Sequence, residues 1–335
     1  MLTSARHSTK LRARMRALSF MAMIAACGPG VSSRAPPHAD DTVGGRDSNP
    51  PLALLSPERT AHWLTGRTST VDGTRDYALY VPAAATATAP APLVVMLHGC
   101  DETPKSFAAG TRMNALADAN GFAVLYPAQN PTANAAGCWN WYDPANQARS
   151  GEPAIIAAMT RAVVATLAAD ASRVYVAGMS AGAAMAVTTA VCYPEIFAAV
   201  AVHSGLEFAA AQNAFSASWA MLWGGPSPEQ RGAVAFACAG AAGLTVPAIV
   251  FHGEADTTVS PYNGAQVRAQ LEAYNDLADD GMANDSSALV ELHMVRGLGH
   301  AWSGGDARYP YSSAVGPDAS RLIWDFFARH SRPSR

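Results

Sequence analysis

The stretch that decides the fold reads Arg173-Val-Tyr-Val-Ala-Gly178-Met-Ser180-Ala-Gly182 and continues into an alanine-rich segment that ends at residue 192. Its first half is an uninterrupted apolar run, which is typical of a strand buried on both faces of a parallel sheet. Its second half predicts a helix. Gly178 and Gly182 flank Ser180, and glycines let a strand and a helix approach without a clash between Cβ atoms. The pattern therefore predicts a sharp strand-to-helix turn that presents a serine hydroxyl.

Further apolar runs alternate with helix-period segments on both sides of this turn. The predicted strands cover residues 77–82, 92–98, 121–126, 173–178, 246–252 and 288–296. The predicted helices cover residues 107–119, 152–169, 181–192, 263–275 and 317–329. Such alternation indicates an α/β fold, with a mostly parallel central sheet and helices on both of its faces. Residues 206–244 break the alternation, and we interpret them as an insertion over one end of the sheet.

The amino-terminal segment has the layout of a secretory signal peptide. Five basic residues precede a short apolar run, Leu18–Ala26, that is too short to span a bilayer as a helix. The run ends in Ile24-Ala-Ala-Cys27, which resembles the lipobox of bacterial lipoproteins and predicts a lipid on Cys27. The alternative is ordinary cleavage with a chance cysteine nearby. We therefore expect a signal peptide at 1–26, a flexible tether at 27–60 and a catalytic domain at 61–335.

Export determines the redox state that we expect for the remaining cysteines. We expect the mature protein to face the periplasm, to be an outer-membrane lipoprotein, or to be extracellular, and these compartments are oxidising. An even number of cysteines follows Cys27, namely Cys100, Cys138, Cys192 and Cys238. They predict two disulfides, and four cysteines allow three pairings.

Charge and motif content exclude several functional classes. The whole chain has a formal net charge of −3, but the part from Cys27 onward has 18 basic and 26 acidic residues, or about −8. An acidic body does not predict binding to nucleic acid, which requires a basic face. The two lysines, Lys10 and Lys105, argue against Schiff-base chemistry and a Walker-type phosphate loop. No C-x-x-C motif is present, and we predict neither a metal nor an organic cofactor.

Ser180 can act as a nucleophile only if a base takes its proton and a carboxylate orients that base. His300 follows the last predicted strand in the glycine-rich loop 297–305, and we predict that it is the base. The other histidines after Ser180 are expected to line the site or to lie at an edge or terminus: His203, His252, His293 and His330. Asp256, just past a predicted strand, is the predicted acid in preference to Glu254. The alternative role for Asp256 is a helix cap.

A tetrahedral oxyanion needs two backbone N–H donors. The residue after the nucleophile, Ala181, is predicted to supply the first. Cys100, in the loop after an early strand, is predicted to supply the second. If Cys100 is bridged, Cys138 is the favoured partner, and the disulfide would hold this donor in place. His98 is expected to brace the same loop by hydrogen bonds.

Six segments carry a resemblance to a known family: Leu97-His-Gly-Cys100, Met113-Asn-Ala-Leu-Ala-Asp118, Phe122-Ala-Val-Leu-Tyr-Pro127, Cys138-Trp-Asn-Trp-Tyr142, Arg173–Gly182 and His300-Ala-Trp302. Together they resemble the catalytic domain of the poly(3-hydroxybutyrate) depolymerase family of esterases, over about residues 70–330. The resemblance implies an α/β-hydrolase fold, with Ser180, Asp256 and His300 as the triad. It also implies that three tryptophans lie near a substrate cleft, with core packing as the alternative: Trp139, Trp141 and Trp302.

The resemblance implies a serine esterase that forms an acyl-enzyme. We expect it to cleave polyesters or oligomers of the 3-hydroxybutyrate type, and the alternative is a feruloyl or acetylxylan esterase. Depolymerases of insoluble polymer usually carry a further polymer-binding domain, whereas this sequence ends at Arg335 after its last predicted helix, which favours soluble oligomers or small esters. A peptidase of the same fold usually carries a large extra domain. A non-catalytic surface protein would lack a triad member, and none is missing.

Overall fold

The computed structural model of the chain describes residues 61–84, 90–279 and 286–333. The predicted signal peptide, the lipid site at Cys27 and the tether lie outside these residues. Within the described part, no helix has both the length and the apolar character needed to cross a membrane.

The described residues form one eight-stranded sheet with the order β1-β2-β4-β3-β5-β6-β7-β8. The strands are β1 His62–Thr70, β2 Gly73–Val81, β3 Leu93–Leu97, β4 Ala123–Pro127, β5 Val174–Met179, β6 Ala199–His203, β7 Ala248–Gly253 and β8 Val290–Val295. β2 is antiparallel to both β1 and β4, and every other neighbouring pair is parallel. This topology confirms the predicted α/β-hydrolase fold with a mostly parallel sheet.

Helices connect the parallel strands and cover both faces of the sheet. They are α1 Pro104–Thr111, α2 Met113–Asn120, α3 Gly151–Leu167, α4 Ala181–Cys192, α5 Ala214–Trp223, α6 Pro228–Ala239, α7 Tyr262–Ala278 and α8 Ala319–Phe327. The single helix predicted at 107–119 is two helices, because Arg112 adopts a left-handed conformation with φ of 56°. Thr103 and Ser106 form a capping box that starts the first of them.

The core consists of two apolar layers, one on each face of the sheet. Side chains alternate along the fully buried strand β3, so that Val95 and Leu97 join one layer while Val94 and Met96 join the other. Helices α3, α4 and α7 complete the first layer, and α1, α2 and α8 complete the second. A continuous apolar run at residues 93–97 is therefore what the two-sided burial requires.

The region between β6 and β7, interpreted as an insertion, contains α5 and α6. A disulfide joins Cys192 at the end of α4 to Cys238 on α6. Gln270 on α7 donates to the Phe208 carbonyl at 2.9 Å and accepts from the Phe208 N–H at 2.7 Å. These links attach the region to the domain at both a covalent and a hydrogen-bonded point. With the Cys100–Cys138 bond, two disulfides are present, as predicted.

A buried ionic network joins the antiparallel edge of the sheet to α3. Nη2 of Arg75 on β2 lies 2.9 Å from Oε1 of Glu152, and both side chains are buried. Gln129 donates to Glu152 and accepts from Nε of Arg75. Glu152 also accepts the backbone N–H of Asn140 at 2.7 Å. A buried charge with this many partners is stable only while all of them remain in place.

Replacing Glu152 by alanine should lower the free energy of unfolding by about 3–5 kcal/mol, because it leaves the Arg75 guanidinium buried without its counter-ion. The matched control is Asp76→Ala, also on β2, which removes an exposed ion pair with Arg67. The control should cost less than about 1 kcal/mol. Urea unfolding of both variants measures the difference, and equal losses would contradict the assigned role of the network.

Candidate active site

The site lies at the carboxyl edge of the parallel strands, where the loops after β3, β5, β7 and β8 converge. This is the edge at which open α/β sheets bind ligands. The loop after β3 carries Cys100, the turn after β5 carries Ser180, and the loops after β7 and β8 carry Asp256 and His300. The topology therefore brings together residues that are up to 200 positions apart in the sequence.

Ser180 occupies a sharp turn between β5 and α4. Its φ of 56° and ψ of −122° are strained for a residue with a side chain. A Cβ on Gly178 would collide with the backbone of Gly182, and a Cβ on Gly182 would collide with the carbonyls of Leu97 and His98. Both flanking glycines are therefore required by the close approach of the backbone. The Ser180 N–H donates to the His203 carbonyl at 3.0 Å, which fixes the turn against β6.

His300 and Asp256 form a hydrogen-bonded pair. The distance from Nδ1 of His300 to Oδ2 of Asp256 is 2.7 Å. A carboxylate only accepts, so Nδ1 carries the proton and Nε2 is left as an acceptor. Oδ1 of Asp256 accepts the backbone N–H groups of Thr258 and Val259, each at 2.9 Å. One carboxylate thus orients the imidazole and also stabilises the turn that follows it, whereas the next helix begins at Tyr262 without a side-chain cap, so Asp256 is not a helix cap.

The surroundings keep Asp256 ionised. Burial by itself would raise the pKa of this carboxyl, but the charge of His300 and the hydrogen bonds with His252 and His300 hold the pKa well below its usual range. Glu254, the other acid considered, is exposed. The structure therefore places Asp256, and not Glu254, against the predicted base.

The remaining histidines have structural surroundings. His203 is fully buried and stacked between Phe251 and Trp302. Its Nε2 accepts the Ser303 N–H at 3.0 Å, which braces the loop that carries His300. Burial lowers the pKa of His203 to about 3, so this histidine is neutral. Of the histidines that the structure describes, only His300 lines the cleft that contains Ser180.

Two cavities meet at Ser180. The wider one, which we call the cleft, has a volume of about 670 Å³ and is lined by Ser180 and His300 together with Gly99, Cys100, Asp101, Glu102, Met179, Thr257, Thr258, Ala301, Pro310, Tyr311 and Ser312. The smaller one, which we call the apolar niche, has a volume of about 20 Å³ and is lined by Cys100, Asn134, Cys138, Trp141, Tyr142, Ser180, Ala181, Leu206, Met221 and Val259. Ser180 and Cys100 belong to both cavities.

His98 fixes the peptide group that contains the Cys100 N–H. Nδ1 of His98 donates to the Gly99 carbonyl at 2.8 Å, and Nε2 accepts the Gln129 N–H at 3.1 Å. Burial lowers the pKa of His98 to about 4, which keeps the imidazole neutral, as these two bonds require. The C=O and N–H of a trans peptide point in opposite directions. Because the Gly99 carbonyl faces His98, the Cys100 N–H is directed away from it.

Glu102 is a buried carboxyl group that the sequence analysis missed. Its Oε2 accepts the Gly99 N–H at 2.9 Å, and a Cβ on Gly99 would lie 3.6 Å from Cβ of Ser180. Burial raises the pKa of Glu102 to about 7. A carboxylate that follows a predicted oxyanion loop by two residues is a local signal, but its hydrogen bond to Gly99 depends on the loop conformation.

The two residues predicted to donate to the oxyanion, Cys100 and Ala181, line the apolar niche together with Ser180. Within the described residues, neither the Cys100 N–H nor the Ala181 N–H donates to another protein group. The Ala181 N–H is at the amino end of α4, where the helix dipole favours negative charge. The disulfide to Cys138 holds Cys100 with a Cα–Cα distance of 4.2 Å. Both donors are thus available to an anion that forms next to Ser180.

The three tryptophans predicted near the cleft have different surroundings. Trp141 is 4% exposed and lines the apolar niche. Trp139 is fully buried beside His98, and Trp302 is buried with its Nε1 donating to Ser320. Neither of these two indoles lines the cleft or the niche. Core packing is therefore the role of Trp139 and Trp302, which corrects their prediction as substrate contacts.

Comparison with known proteins identifies the family. The sequence model described as "Esterase PHB depolymerase" matches residues 75–291, which is more than half of the chain. The chain belongs to the PHB depolymerase family of esterases. The prediction made from the six sequence segments is confirmed.

Proteins named for different ester substrates resemble this chain. Poly(3-hydroxyalkanoate) depolymerase C of Paucimonas lemoignei is 33% identical over 63% of this chain and 55% of its own length. Feruloyl esterase B of Neurospora crassa is 42% identical over 39% of this chain and 44% of its own length. This chain thus spans about half the length of these relatives. The solved acetyl xylan esterase from Aspergillus awamori has a TM-score of 0.64 at 24% identity, and the match covers 80% of this chain and 99% of that one.

In this family member, Asp256→Asn should lower kcat for ester hydrolysis by roughly 10³–10⁴-fold, because an amide no longer fixes the His300 tautomer or stabilises the imidazolium. Glu254→Gln is the matched control, since Glu254 is two residues away and exposed. The control should keep kcat within about twofold of the unmodified protein. Steady-state kinetics on p-nitrophenyl butyrate measure both, and a larger loss in the control would reverse the assignment of the acid.

Proposed function

We propose that this chain is an exported serine esterase that hydrolyses carboxylic esters through an acyl-enzyme on Ser180. The observation that carries the proposal is the arrangement around the cleft. Ser180 sits at the amino end of α4, His300 is oriented by Asp256, and Cys100 and Ala181, whose N–H groups donate to no other described group, line a cavity with the serine. These are the parts that acyl transfer to a serine requires.

In the first half of the proposed reaction, Nε2 of His300 accepts the proton of the Ser180 hydroxyl while Oγ bonds to the ester carbonyl carbon. The carbonyl oxygen becomes an oxyanion that accepts hydrogen bonds from the Cys100 and Ala181 N–H groups. His300 then donates its proton to the alkoxy oxygen, and the bond from carbon to that oxygen breaks. The alcohol leaves, and Ser180 keeps the acyl group.

In the second half, water takes the place of the alcohol. His300 accepts a proton from the water as its oxygen bonds to the acyl carbon, and the same two N–H groups stabilise the second oxyanion. When that intermediate collapses, His300 returns the proton to Oγ of Ser180. The products are the free acid and the restored hydroxyl. Asp256 stays ionised throughout and stabilises the imidazolium.

The substrates that we propose are oligomers or small esters of the 3-hydroxybutyrate type. The support is the 33% identity to the poly(3-hydroxyalkanoate) depolymerase of Paucimonas lemoignei, which extends over 229 residues. The second candidate is a carbohydrate-side esterase, which is supported by the likeness to acetylxylan esterase A of Talaromyces purpureogenus, 32% identical over 219 residues. The two candidates differ in the ester that is cleaved and share the proposed catalytic groups.

A hydrolysis panel tests this function. Purified protein should hydrolyse 3-hydroxybutyrate oligomers faster than methyl ferulate or acetylated xylan, and a fluorophosphonate should label Ser180. Ser180→Ala should lower every measurable activity by at least about 10³-fold and abolish the labelling. If the variant keeps full activity, Ser180 is not the nucleophile. If acetylated xylan is the best substrate, the second candidate replaces the first.

We propose further that the chain is exported and lipidated on Cys27, with the membrane as its partner. Support comes from the lipobox-like end of the apolar run and from the two disulfides, which form in oxidising compartments. Expression of the full chain in a bacterium fed labelled palmitate should yield labelled protein in the membrane fraction. Cys27→Ser should remove the label, and a labelled Cys27→Ser protein would refute the site.

A further inference from the structure

The apolar niche and the cleft share the groups that would hold a reacting ester carbonyl. Ser180 and Cys100 line both cavities, whereas His300 lines only the cleft and Ala181 only the niche. The walls of the niche are mainly apolar: the Cys100–Cys138 disulfide, Trp141, Leu206, Met221 and Val259. The cleft instead carries polar and ionisable groups such as Asp101, Glu102 and Tyr311. A substrate attached to Ser180 would therefore have one substituent in each environment.

Proton transfer decides which substituent enters which cavity. A tetrahedral intermediate has the Ser180 oxygen, an oxyanion, the acyl chain and the alkoxy group on one carbon. The alkoxy oxygen must take a proton from His300 before it can leave, so it has to be on the side of the cleft. The oxyanion occupies the space between the two N–H donors. The acyl chain is the remaining substituent. It therefore extends into the cavity that His300 does not line, which is the niche.

We infer that the apolar niche is the acyl-binding site of this esterase and that it admits only short acyl groups. The inference rests on the proposed function of Ser180, because without an acyl-enzyme the niche has no acyl chain to bind. A volume of about 20 Å³ is room for one or two water-sized groups. That space accommodates the first atoms of a short acyl chain and excludes an aromatic acyl group such as feruloyl.

The walls of the niche are held in place, so the size limit is built into the fold. The disulfide is a covalent wall, and the Trp141 indole makes a T-shaped contact with the Tyr142 ring at 5.6 Å between centroids. The Trp141 carbonyl accepts a hydrogen bond from Gln147 at 3.1 Å. Val259 is fully buried, and its N–H donates to Asp256. Met221 and Leu206 are the wall residues whose aliphatic side chains a substitution can shorten without removing the disulfide, a ring or a neighbour of Asp256 in the turn.

The niche also predicts the direction in which an oligomer is degraded. In a 3-hydroxybutyrate oligomer, the acyl part of each ester bond is the portion toward the free hydroxyl end. A niche this small has no room for a second unit, so it accepts only the terminal unit on that side, while the rest of the chain lies in the cleft as the leaving alcohol. The protein should then release monomers one at a time from the hydroxyl end. Blocking that hydroxyl with a benzoyl group should stop release.

Two ester series separate the cavities. In p-nitrophenyl esters of acids from acetate to octanoate, kcat/KM should fall at least about tenfold between butyrate and octanoate. In acetate esters of alcohols of increasing size, kcat/KM should vary by only a few fold, because the alcohol occupies the larger cleft. Equal acceptance of octanoyl and acetyl esters by the unmodified protein would overturn the inference, and so would a steep fall in the alcohol series alone.

Met221→Ala should widen the niche and raise the octanoate-to-acetate ratio of kcat/KM by about tenfold, since several methylenes of the longer chain gain buried contact. Leu222→Ala is the matched control, because Leu222 is the next residue on α5 and points to solvent. It should leave the ratio unchanged. Leu206→Ala, on a different segment, should act like Met221→Ala and guards against misfolding of α5. Unchanged ratios in both folded niche variants would overturn the inference.

The outcomes distinguish this inference from the proposed function. If the protein neither hydrolyses any ester nor reacts with a fluorophosphonate at Ser180, the proposed function is wrong and the niche has no acyl role. If Ser180-dependent hydrolysis is present but long acyl chains are accepted as readily as short ones, the function stands and the niche assignment is wrong.

Discussion

The close approach of the Ser180 turn to the end of β3 constrains the rest of the site. Gly182 lies directly against the carbonyl groups of Leu97 and His98, and Gly178 lies against Gly182. A side chain at either glycine would push α4 away from the sheet. The two N–H groups proposed to bind the oxyanion belong to these two backbone segments, one at the start of α4 and one after β3. Their separation is therefore set by contact between backbones.

A chain of buried hydrogen bonds extends this constraint to the edge of the sheet. Glu152 binds Gln129, the Gln129 N–H binds His98, and His98 binds the Gly99 carbonyl. Gln129 also donates to the Cys138 carbonyl at 2.8 Å, so the same amide supports the disulfide loop. Polar groups in a low-dielectric interior are costly when one partner is lost. The orientation of one peptide group in the site is therefore linked to the buried Arg75–Glu152 ion pair.

Most of the candidate site could be predicted because its residues follow strands and have local signals. The prediction of all three came from the glycines around Ser180 and His300 and from the position of Asp256 after a buried strand. Gln129 and Glu102 were not predicted, because their hydrogen bonds to His98 and to Gly99 form only in the folded loop. The sequence could not predict which tryptophan faces a cavity, for the same reason. Trp139 and Trp141 are two residues apart in one irregular loop, and no periodicity indicates which indole faces a cavity.

The fold itself was predictable where burial imposes a period. β3, β5 and β7 are continuous apolar runs, and α4 agrees with its predicted range at both ends. β1 has no such run, because its residues alternate only between exposed and half-buried positions. α5 and α6 lie in the region interpreted as an insertion and are not predicted as helices, since several large apolar residues of α5 are exposed. The break between α1 and α2 is not predicted, because the left-handed position there is occupied by Arg112 and not by the glycine or asparagine that usually adopts this conformation.

The site is complete only after the Cys100–Cys138 disulfide has formed. It closes a loop of 38 residues and ties one proposed oxyanion donor to a wall of the niche. In the reducing interior of a cell that bond does not persist. A newly made chain would then have its nucleophile but a less constrained donor, and would gain the finished site only on reaching an oxidising compartment. Covalent maturation of this kind would separate the esterase from the esters of the cell that makes it.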